Sequence, residues 1–258
     1  MPTRQELAND LRQLGVEQGH AVVVHSSLRS LGEVEGGAAT VVGALLDVLG
    51  PSGLLVFPTF TYRTQVFNPA TEPCLTGRIP ETGRSWPGAV RSWHPTHSVA
   101  AIGEGATMLC AYHHLVGGFD LDSPLDRLAA RGGYVLLLGV GHNTNSTVHV
   151  GEAHAKVPYL DVPFGPNAFT TAKVITPHDE IEVPIKHPPG CSKAFGAVEK
   201  VLRGHGWVRD GTVGKALVQR VPSQAVIEAT VEILQADPAG LLCTDPQCYR
   251  CTQSRLRL

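Results

Sequence analysis

Residues 21–61 read AVVVHSSLRSLGEVEGGAATVVGALLDVLGPSGLLVFPTFT, and this stretch decides the fold class. The run 21–27 is short and rich in β-branched residues, which predicts a buried strand. Residues 36–50 predict a helix that starts at two glycines and ends at Gly50. Residues 53–61 predict the next strand. A strand, a helix and a strand in this order indicate a parallel pair and an α/β fold.

The segments on either side repeat this alternation of strands and helices. Residues 62–97 show no period, and a stretch of this length without regular structure is usually functional. The run 134–141 is the most apolar strand and is predicted to be central. Helices are predicted over 3–15, 123–133, 147–156, 192–206 and 223–237, strands over 97–103 and 215–221, and a hairpin over 169–175 and 180–186.

Composition sets the broad class of the protein. The 258 residues carry a formal net charge of −2, with 43% hydrophobic and 17% charged residues. This is globular composition, and it gives no electrostatic reason to expect nucleic acid as a partner. The N-terminus lacks the apolar run of a signal peptide, and no apolar stretch of membrane-spanning length occurs. We expect a cytoplasmic protein, monomeric or homodimeric, with no membrane partner. One domain is expected over 1–258, with a small lobe within about 160–190 and a cysteine-containing tail at 243–258.

The chain has six cysteines, and half of them lie in this tail. Cys248 and Cys251 form a CxxC, Cys243 is near in sequence, and Cys191 could be near in space. Four thiols of this kind could hold a structural zinc ion. Reduced cysteines without a metal fit the sequence equally well, so both interpretations stay open.

The segment GVGHNTNSTVHVGEAHAKVPY (139–159) is the richest in reactive side chains. It joins a buried strand to a helix, and ligands of parallel α/β sheets bind at the carboxyl ends of strands. His149, Glu152 and Lys156 would share one helix face. A carboxylate beside a histidine orients the ring and raises its basicity, as a general base for an amine requires. The alternative is a solvated polar face with a chance His–Glu pair.

Two other segments are weaker candidates. Gly36 and Gly37 stand at a helix start, where backbone N–H groups can hold a phosphate. However, no Walker sequence follows, and an ordinary turn is the alternative. His94 and His97, in WHPTHSVAAIG (93–103), could reach a site at the head of a strand. A structural role for each histidine is the stronger interpretation.

Other chemistries have less support in the residues. A serine hydrolase would need GxSxG, which is absent. A metal-dependent hydrolase is the alternative of another class, built on the histidines. The spacing His149-x-x-Glu152-x-His154 places the two histidines well apart around a helix, so they would not readily share a metal. A binding module without turnover is a third possibility.

The sequence resembles the aminoglycoside 3-N-acetyltransferases over almost its whole length. The matching stretches are VVVHSSLRSLG (22–32), GPSGLLVFPTFT (50–61), FNPATEP (67–73), HPTHSVAAIG (94–103), SPLDRLAARGGYVLLLGVGHNTNSTVHVGEAHAKVPY (123–159) and VGKALVQR (213–220). The resemblance implies a three-layer α/β/α sandwich with a mainly parallel central sheet and a smaller appended lobe.

The resemblance also implies a cofactor and a set of site residues. Acetyl-coenzyme A would be the acetyl donor, with no catalytic metal, and a primary amine of an aminoglycoside the acceptor. His149 matches the family's catalytic histidine and Glu152 a glutamate on the same helix. The residues that correspond to the coenzyme-binding segment are His25, Ser26, Ser27, Leu28, Gly36 and Gly37, with the hydroxyl of Thr147 or a backbone N–H near Ser27 as an oxyanion donor.

One departure from the family concerns the acceptor. Members that take polycationic aminoglycosides carry acids after the PTF-like strand and before the stretch that matches GCSKAF (190–195). Here Arg63, Lys186 and His187 stand at these places, and cationic walls favour an anionic acceptor. The alternative acceptor is therefore a phosphorylated or phosphonate amine of a biosynthetic pathway. Glu72 and Glu81 lie nearby and could compensate.

Overall fold

The computed structural model describes residues 1–62, 64–163 and 165–258. The strands are β1 Ala21–Ser26, β2 Leu54–Pro58, β3 Val66–Phe67, β4 Val90–Arg91, β5 Val99–Gly103, β6 Tyr134–Leu138, β7 Thr171–Ile175, β8 Glu180–Pro184, β9 Arg209–Val213 and β10 Ala216–Pro222. The helices are α1 Arg4–Gln13, α2 Gly37–Leu49, α3 Arg78–Arg84, α4 Ala106–Cys110, α5 Pro124–Ala130, α6 Thr147–His154, α7 Ala197–Gly204, α8 Ser223–Ala236 and α9 Tyr249–Arg255.

Within the described residues, a seven-stranded sheet has the order β4-β5-β2-β1-β6-β10-β9. β1 pairs in parallel with β2, as predicted, and with β6. The remaining pairs, β2–β5, β5–β4, β6–β10 and β10–β9, are antiparallel. The sheet is therefore mixed, and parallel pairing is confined to the central three strands. For the β10–β9 pair the reason is connectivity: the two strands form a hairpin that turns at Gly214 (φ 57°), whereas parallel neighbours need a crossover. β6 lies beside β1, which occupies the centre.

Side chains of β1 alternate between two hydrophobic clusters on opposite faces of the sheet. Val22 and Val24 pack with α1 and α2 in one cluster. Ala21 and Val23 belong to the other, which includes residues of α5, α6 and α8. Burial on both faces explains why this strand is apolar throughout rather than alternating.

The start of α1 follows from a capping motif that is visible in the sequence. The side chain of Thr3 accepts from the backbone N–H of Glu6, whose carboxylate accepts in return from the backbone N–H of Thr3, which confirms the predicted capping box.

α6 ends at His154, and Lys156 has φ of 53° beyond it. The predicted helix face therefore ends before Lys156, which does not share it with His149. The prediction over 192–206 is also shortened, to a 3-10 turn at 192–194 followed by α7.

The segment 62–97 is more ordered than its composition suggested. It contains β3, α3 and β4 in addition to its irregular parts. Arg91 is buried and acts as its anchor: its guanidinium donates to the backbone oxygen of Thr59 (2.8 Å), the hydroxyl of Ser98 (3.0 Å) and the backbone oxygen of Glu72. Contacts between residues far apart in sequence hold this segment in place, so its hydrophobic periodicity does not predict its structure.

A second sheet has the order β3-β7-β8. β7 and β8 form the predicted hairpin, with Lys173 opposite Glu182, and β3 joins β7 in parallel. Both hairpin strands lie within the segment predicted to be a small lobe. None of the helices in the described part of the chain combines the length and the apolar character that crossing a membrane requires.

The packing of α6 on α8 yields a stability prediction. A Cβ placed on Gly151 would lie 2.4 Å from the Cβ of Thr230, closer than van der Waals contact allows. We expect Gly151→Ala to lower the free energy of unfolding by about 1–3 kcal/mol, measured by urea denaturation, because overpacking forces the helices apart.

Gly204→Ala is the matched control, since Gly204 is also helical and its added Cβ would meet open space. It should leave stability unchanged or raise it by up to about 1 kcal/mol. Equal losses in both variants would contradict close packing at Gly151.

Candidate active site

A cavity of about 400 Å³ opens at the carboxyl ends of the central strands. β1 reaches it through Val24, His25 and Ser26, and the chain after β2 reaches it through Phe60. The turn between β6 and α6 contributes residues 143–146. This is the edge at which an α/β sheet is expected to bind its ligand.

His149 enters this cavity from the first turn of α6. Just before the helix, the side-chain oxygen of Asn145 accepts from the backbone N–H of Thr147 at 3.1 Å, whereas the side chain of the N-cap residue, Ser146, makes no capping bond. Glu152 lies one turn further on, and its Oε2 is 2.6 Å from His149 Nδ1. The predicted pair therefore exists, and its hydrogen bond leaves Nε2 as the ring nitrogen for a ligand.

Apolar and aromatic groups surround the pair. The His149 ring stacks on Phe119 with centroids 5.1 Å apart and meets the edge of Phe195 at 4.7 Å. Glu152 is completely buried. Burial lowers the pKa of His149 well below its usual value and raises the pKa of Glu152 well above it. The positive charge of Arg250 lowers both pKa values, so it adds to the shift of His149 and opposes the larger effect of burial on Glu152.

The two histidines of segment 93–103 differ: one makes a structural hydrogen bond, and the other lines the cavity. His94 Nδ1 accepts from the backbone N–H of His97 at 3.0 Å, so its structural role is confirmed. His97 lines the cavity, with its Nδ1 2.8 Å from Thr96 Oγ1 and its ring 5.0 Å from that of Phe119. The cavity wall beside His149 therefore includes a second buried imidazole.

The residues predicted to bind the coenzyme fall into two groups. His25 and Ser26 line the cavity, and His25 Nε2 and Ser26 Oγ are buried without a hydrogen-bond partner among the described residues, as is Thr147 Oγ1. Such groups suit a polar ligand, because unsatisfied buried atoms are costly. Thr147 and the other four, Ser27, Leu28, Gly36 and Gly37, lie outside the cavity lining.

The backbone N–H of Ser27 itself donates to the backbone oxygen of Leu138 at 3.0 Å, so an oxyanion donor near Ser27 would have to be a neighbouring N–H and stays a prediction. The pairing of β1 with β6 uses this N–H. Gly36 and Gly37 do stand at the start of α2, with φ of 71° and 64°, in the left-handed region that favours glycine.

The residues predicted to contact the acceptor do not line the cavity where the structure describes them. Lys186 is exposed and lies 3.3 Å from the carboxylate of Asp120. His187 Nε2 is 3.1 Å from the backbone oxygen of Phe169, and Glu72 accepts from the hydroxyl of Thr64. Arg63 is outside the described residues. Lys186 and His187 therefore do not supply the cationic wall expected from the sequence.

The sequence interpretation missed a cavity residue in the C-terminal tail. Arg250 lines the cavity and donates to the backbone oxygens of Pro188 and, at 3.2 Å, Pro189. Cys191 lines it as well. Sequence periodicity could not predict that the Arg250 guanidinium lies in the cavity, because Arg250 contacts residues about sixty positions earlier in the chain.

Comparison with known proteins decides the family. A family model described as aminoglycoside 3-N-acetyltransferase matches residues 23–235. The chain belongs to this family. It is 36% identical over 244 residues to aminoglycoside N(3)-acetyltransferase VII of Streptomyces paromomycinus, covering 83% of this chain and 85% of that protein. The chain is thus an N-acetyltransferase of the acyltransferase class.

Solved structures agree with this assignment. A variant of the aminoglycoside acetyltransferase AAC(3)-IVa in complex with a gentamicin has a TM-score of 0.88 at 30% identity, covering 99% of this chain and 97% of that one. AAC-IIIb in a binary complex with CoASH has a TM-score of 0.81 at 26% identity, covering 91% and 97%. Among the described residues, the side chains that converge within metal-ligand distance are four cysteines and do not include His149.

The buried histidines predict acid sensitivity. Burial lowers the pKa of His25 and of His94 to about 3, from an ordinary value of 6.5, and lowers the pKa values of His97 and His113 as well. Below pH 6.5 the unfolded chain therefore binds more protons than the folded one. The free energy of unfolding should fall as the pH drops from 6.5 towards 3, by up to about 1.4 kcal/mol per pH unit for each histidine.

Urea denaturation at pH 7.5, 6.5 and 5.5 measures this slope. His94→Asn should flatten it, whereas His178→Asn, at an exposed position, should leave it unchanged. A stability that does not change over this range would show that the histidines are not held neutral.

Proposed function

We propose that this protein transfers the acetyl group of acetyl-coenzyme A to the 3-amino group of an aminoglycoside antibiotic. The observation that carries the proposal is the buried His149–Glu152 pair at the cavity, in a chain of the aminoglycoside 3-N-acetyltransferase family. The named relative with CoASH supports the donor, and the one with a gentamicin supports the acceptor class.

His149 acts as the general base in this proposal. An amine at neutral pH is mostly protonated and cannot attack a carbonyl carbon. The ammonium group first releases one proton to solvent. A neutral imidazole then takes a second proton at Nε2 from the amine nitrogen as that nitrogen attacks, while Glu152 stabilises the resulting charge through Nδ1. Acetyl-coenzyme A supplies a thioester, whose carbonyl carbon the amine attacks and whose C–S bond then breaks. The proton on His149 is returned to the leaving thiolate, which restores the base.

The polar groups at the end of β1 fit the donor. Among the described residues, Ser26 Oγ and His25 Nε2 are buried groups without a partner that line the cavity, and each can hydrogen-bond an amide or carbonyl of the pantetheine arm. For the oxyanion, the candidates stay Thr147 Oγ1, which is buried without a partner among the described residues, and a backbone N–H near Ser27 other than its own. Ser27, Leu28, Gly36 and Gly37 stay predictions for the outer part of the coenzyme.

A second acceptor class keeps one observation in its favour. Lys186 and His187 lie outside the cavity lining, but Arg250 places a guanidinium in it. A cation there suits a phosphorylated or phosphonate amine better than a polycation. The two acceptors share the donor and the base, so an acceptor screen separates them.

Several finer structural features are also proposals. We infer that the helices on the two sheet faces form a three-layer sandwich, supported by the two hydrophobic clusters, and that the β3-β7-β8 sheet is the small lobe of a single domain. A cytoplasmic location, a monomeric or homodimeric state and the lack of a nucleic-acid partner stay predictions.

The role of His149 is tested by substitution. His149→Ala should lower turnover by about two to four orders of magnitude while coenzyme A binding, measured by calorimetry, stays intact. Glu152→Gln should cost less, because it orients the base without accepting the substrate proton.

His154→Ala is the matched control. His154 lies on the same helix but pairs with Asp126 at 2.7 Å, and it is not in the cavity lining. Its turnover should remain close to that of the wild type. An unchanged turnover in His149→Ala would remove this residue from the mechanism.

The acceptor is tested by a thiol-release assay with two panels, aminoglycosides and small phosphorylated amines. Turnover with aminoglycosides is the expected result. Turnover with the phosphorylated amines alone would mean that the Arg250 side of the cavity binds an anion. No turnover with either panel, together with tight coenzyme A binding, would indicate a binding protein.

A further inference from the structure

Four of the six cysteines meet at one point beside the cavity. Cys191 precedes the 3-10 turn at 192–194, Cys243 follows α8, Cys248 caps α9 and Cys251 lies within it. Their sulfur atoms all lie within 4.8 Å of one another, and all four thiols are free. Residues separated by some sixty positions thus bring their side chains to a common centre.

The spacing of these sulfur atoms matches a metal site better than a disulfide. A disulfide requires an S–S distance of about 2.05 Å, whereas Cys191 and Cys251 have their sulfur atoms 3.5 Å apart. A tetrahedron with Zn–S bonds of about 2.3 Å has edges of about 3.8 Å. The observed contact is close to such an edge, so a small contraction of the set would bring every sulfur within bonding distance of one ion.

We propose that Cys191, Cys243, Cys248 and Cys251 bind one Zn²⁺ ion as a tetrahedral tetrathiolate site. Soft thiolate ligands select zinc over magnesium, calcium or manganese. Four protein ligands leave no open position for water or substrate, so the site is structural and takes no part in the transfer chemistry.

The proposed metal links the tail to the cavity wall. The Lys193–Asp245 ion pair between the same two segments has exposed partners, and such pairs contribute little to stability. The zinc ion would be a far stronger cross-link, since it joins the start of segment 191–194 to α9. Because the chain between Cys248 and Cys251 carries Arg250, the ion would hold that side chain in the cavity.

The four cysteines also lie close to the His149–Glu152 pair. A Cβ placed on Gly190 would be 3.9 Å from Cys251 Sγ and 3.9 Å from Glu152 Oε1, so one loop residue lies between the thiols and the buried carboxylate. Arg250 is therefore a positioning residue, whose place in the cavity wall the proposed ion would fix.

The first experiment measures the metal in the intact chain, purified without added metal under reducing conditions. Elemental analysis should find one zinc per chain. Replacement by Co²⁺ should give the intense visible bands of tetrahedral tetrathiolate coordination together with near-ultraviolet thiolate charge-transfer bands. Protein that is fully folded, reduced and free of metal would overturn the proposal, as would disulfides within the cluster or stoichiometric iron.

Variants test which side chains bind the ion. Cys248→Ser and Cys251→Ser should each lose most of the zinc and lower the thermal midpoint. Cys74→Ser, which alters a partly buried cysteine outside the cluster, should keep one zinc and serves as the matched control. If the ligand variants fail to fold, the cobalt spectrum of the wild-type chain still decides the point. Retention of full zinc by both ligand variants would contradict the assignment.

Removal of the ion from the wild-type chain tests the link to the cavity, which rests on the proposed function. Treatment with a strong chelator should raise KM for the acceptor several-fold and leave coenzyme A binding unchanged. Unchanged acceptor kinetics in zinc-free protein would refute the positioning role. An absence of turnover before chelation would instead count against the proposed function, and the metal content would be unaffected by that result.

Discussion

The hydrogen bond between His149 and Glu152 is the interaction on which the site depends. A carboxyl group with no exposed surface is costly unless it is paired, and here its partner is an imidazole held between Phe119 and Phe195. The same apolar surroundings favour the neutral ring, so the burial that is expected to weaken the fold in acid also favours the form that the proposed general base requires.

The backbone supplies the position of this pair. Three parallel strands end at one edge of the sheet, and the turn after β6 delivers α6 across that edge, where the Asn145 side chain accepts from the backbone N–H of Thr147. Close contact of Gly151 with Thr230 fixes the helix against α8. The antiparallel strands on both sides extend the sheet, while the helix that carries His149 follows the central parallel group.

The source of positive charge on the cavity wall differs from the one that the sequence predicts. Lys186 is paired with Asp120 and exposed, so its charge is largely satisfied and screened away from the cavity. The cation on the cavity wall is instead Arg250, held by backbone oxygens of residues 188 and 189. The C-terminal tail therefore supplies a cation to this wall, close to the four clustered cysteines.

Features that depend on near neighbours were determined by the sequence alone. The strand–helix–strand unit at 21–61, the capping box at Thr3, the β7–β8 hairpin and the i,i+3 spacing of His149 and Glu152 all follow from local periodicity and hydrogen bonding. Other features depend on contacts between distant residues. The order within 62–97, anchored by buried Arg91, the antiparallel flanks of the sheet and the return of Arg250 to the cavity belong to this second class. Only the tertiary structure decided them, because long-range packing and backbone contacts leave no periodic trace in the residues that make them.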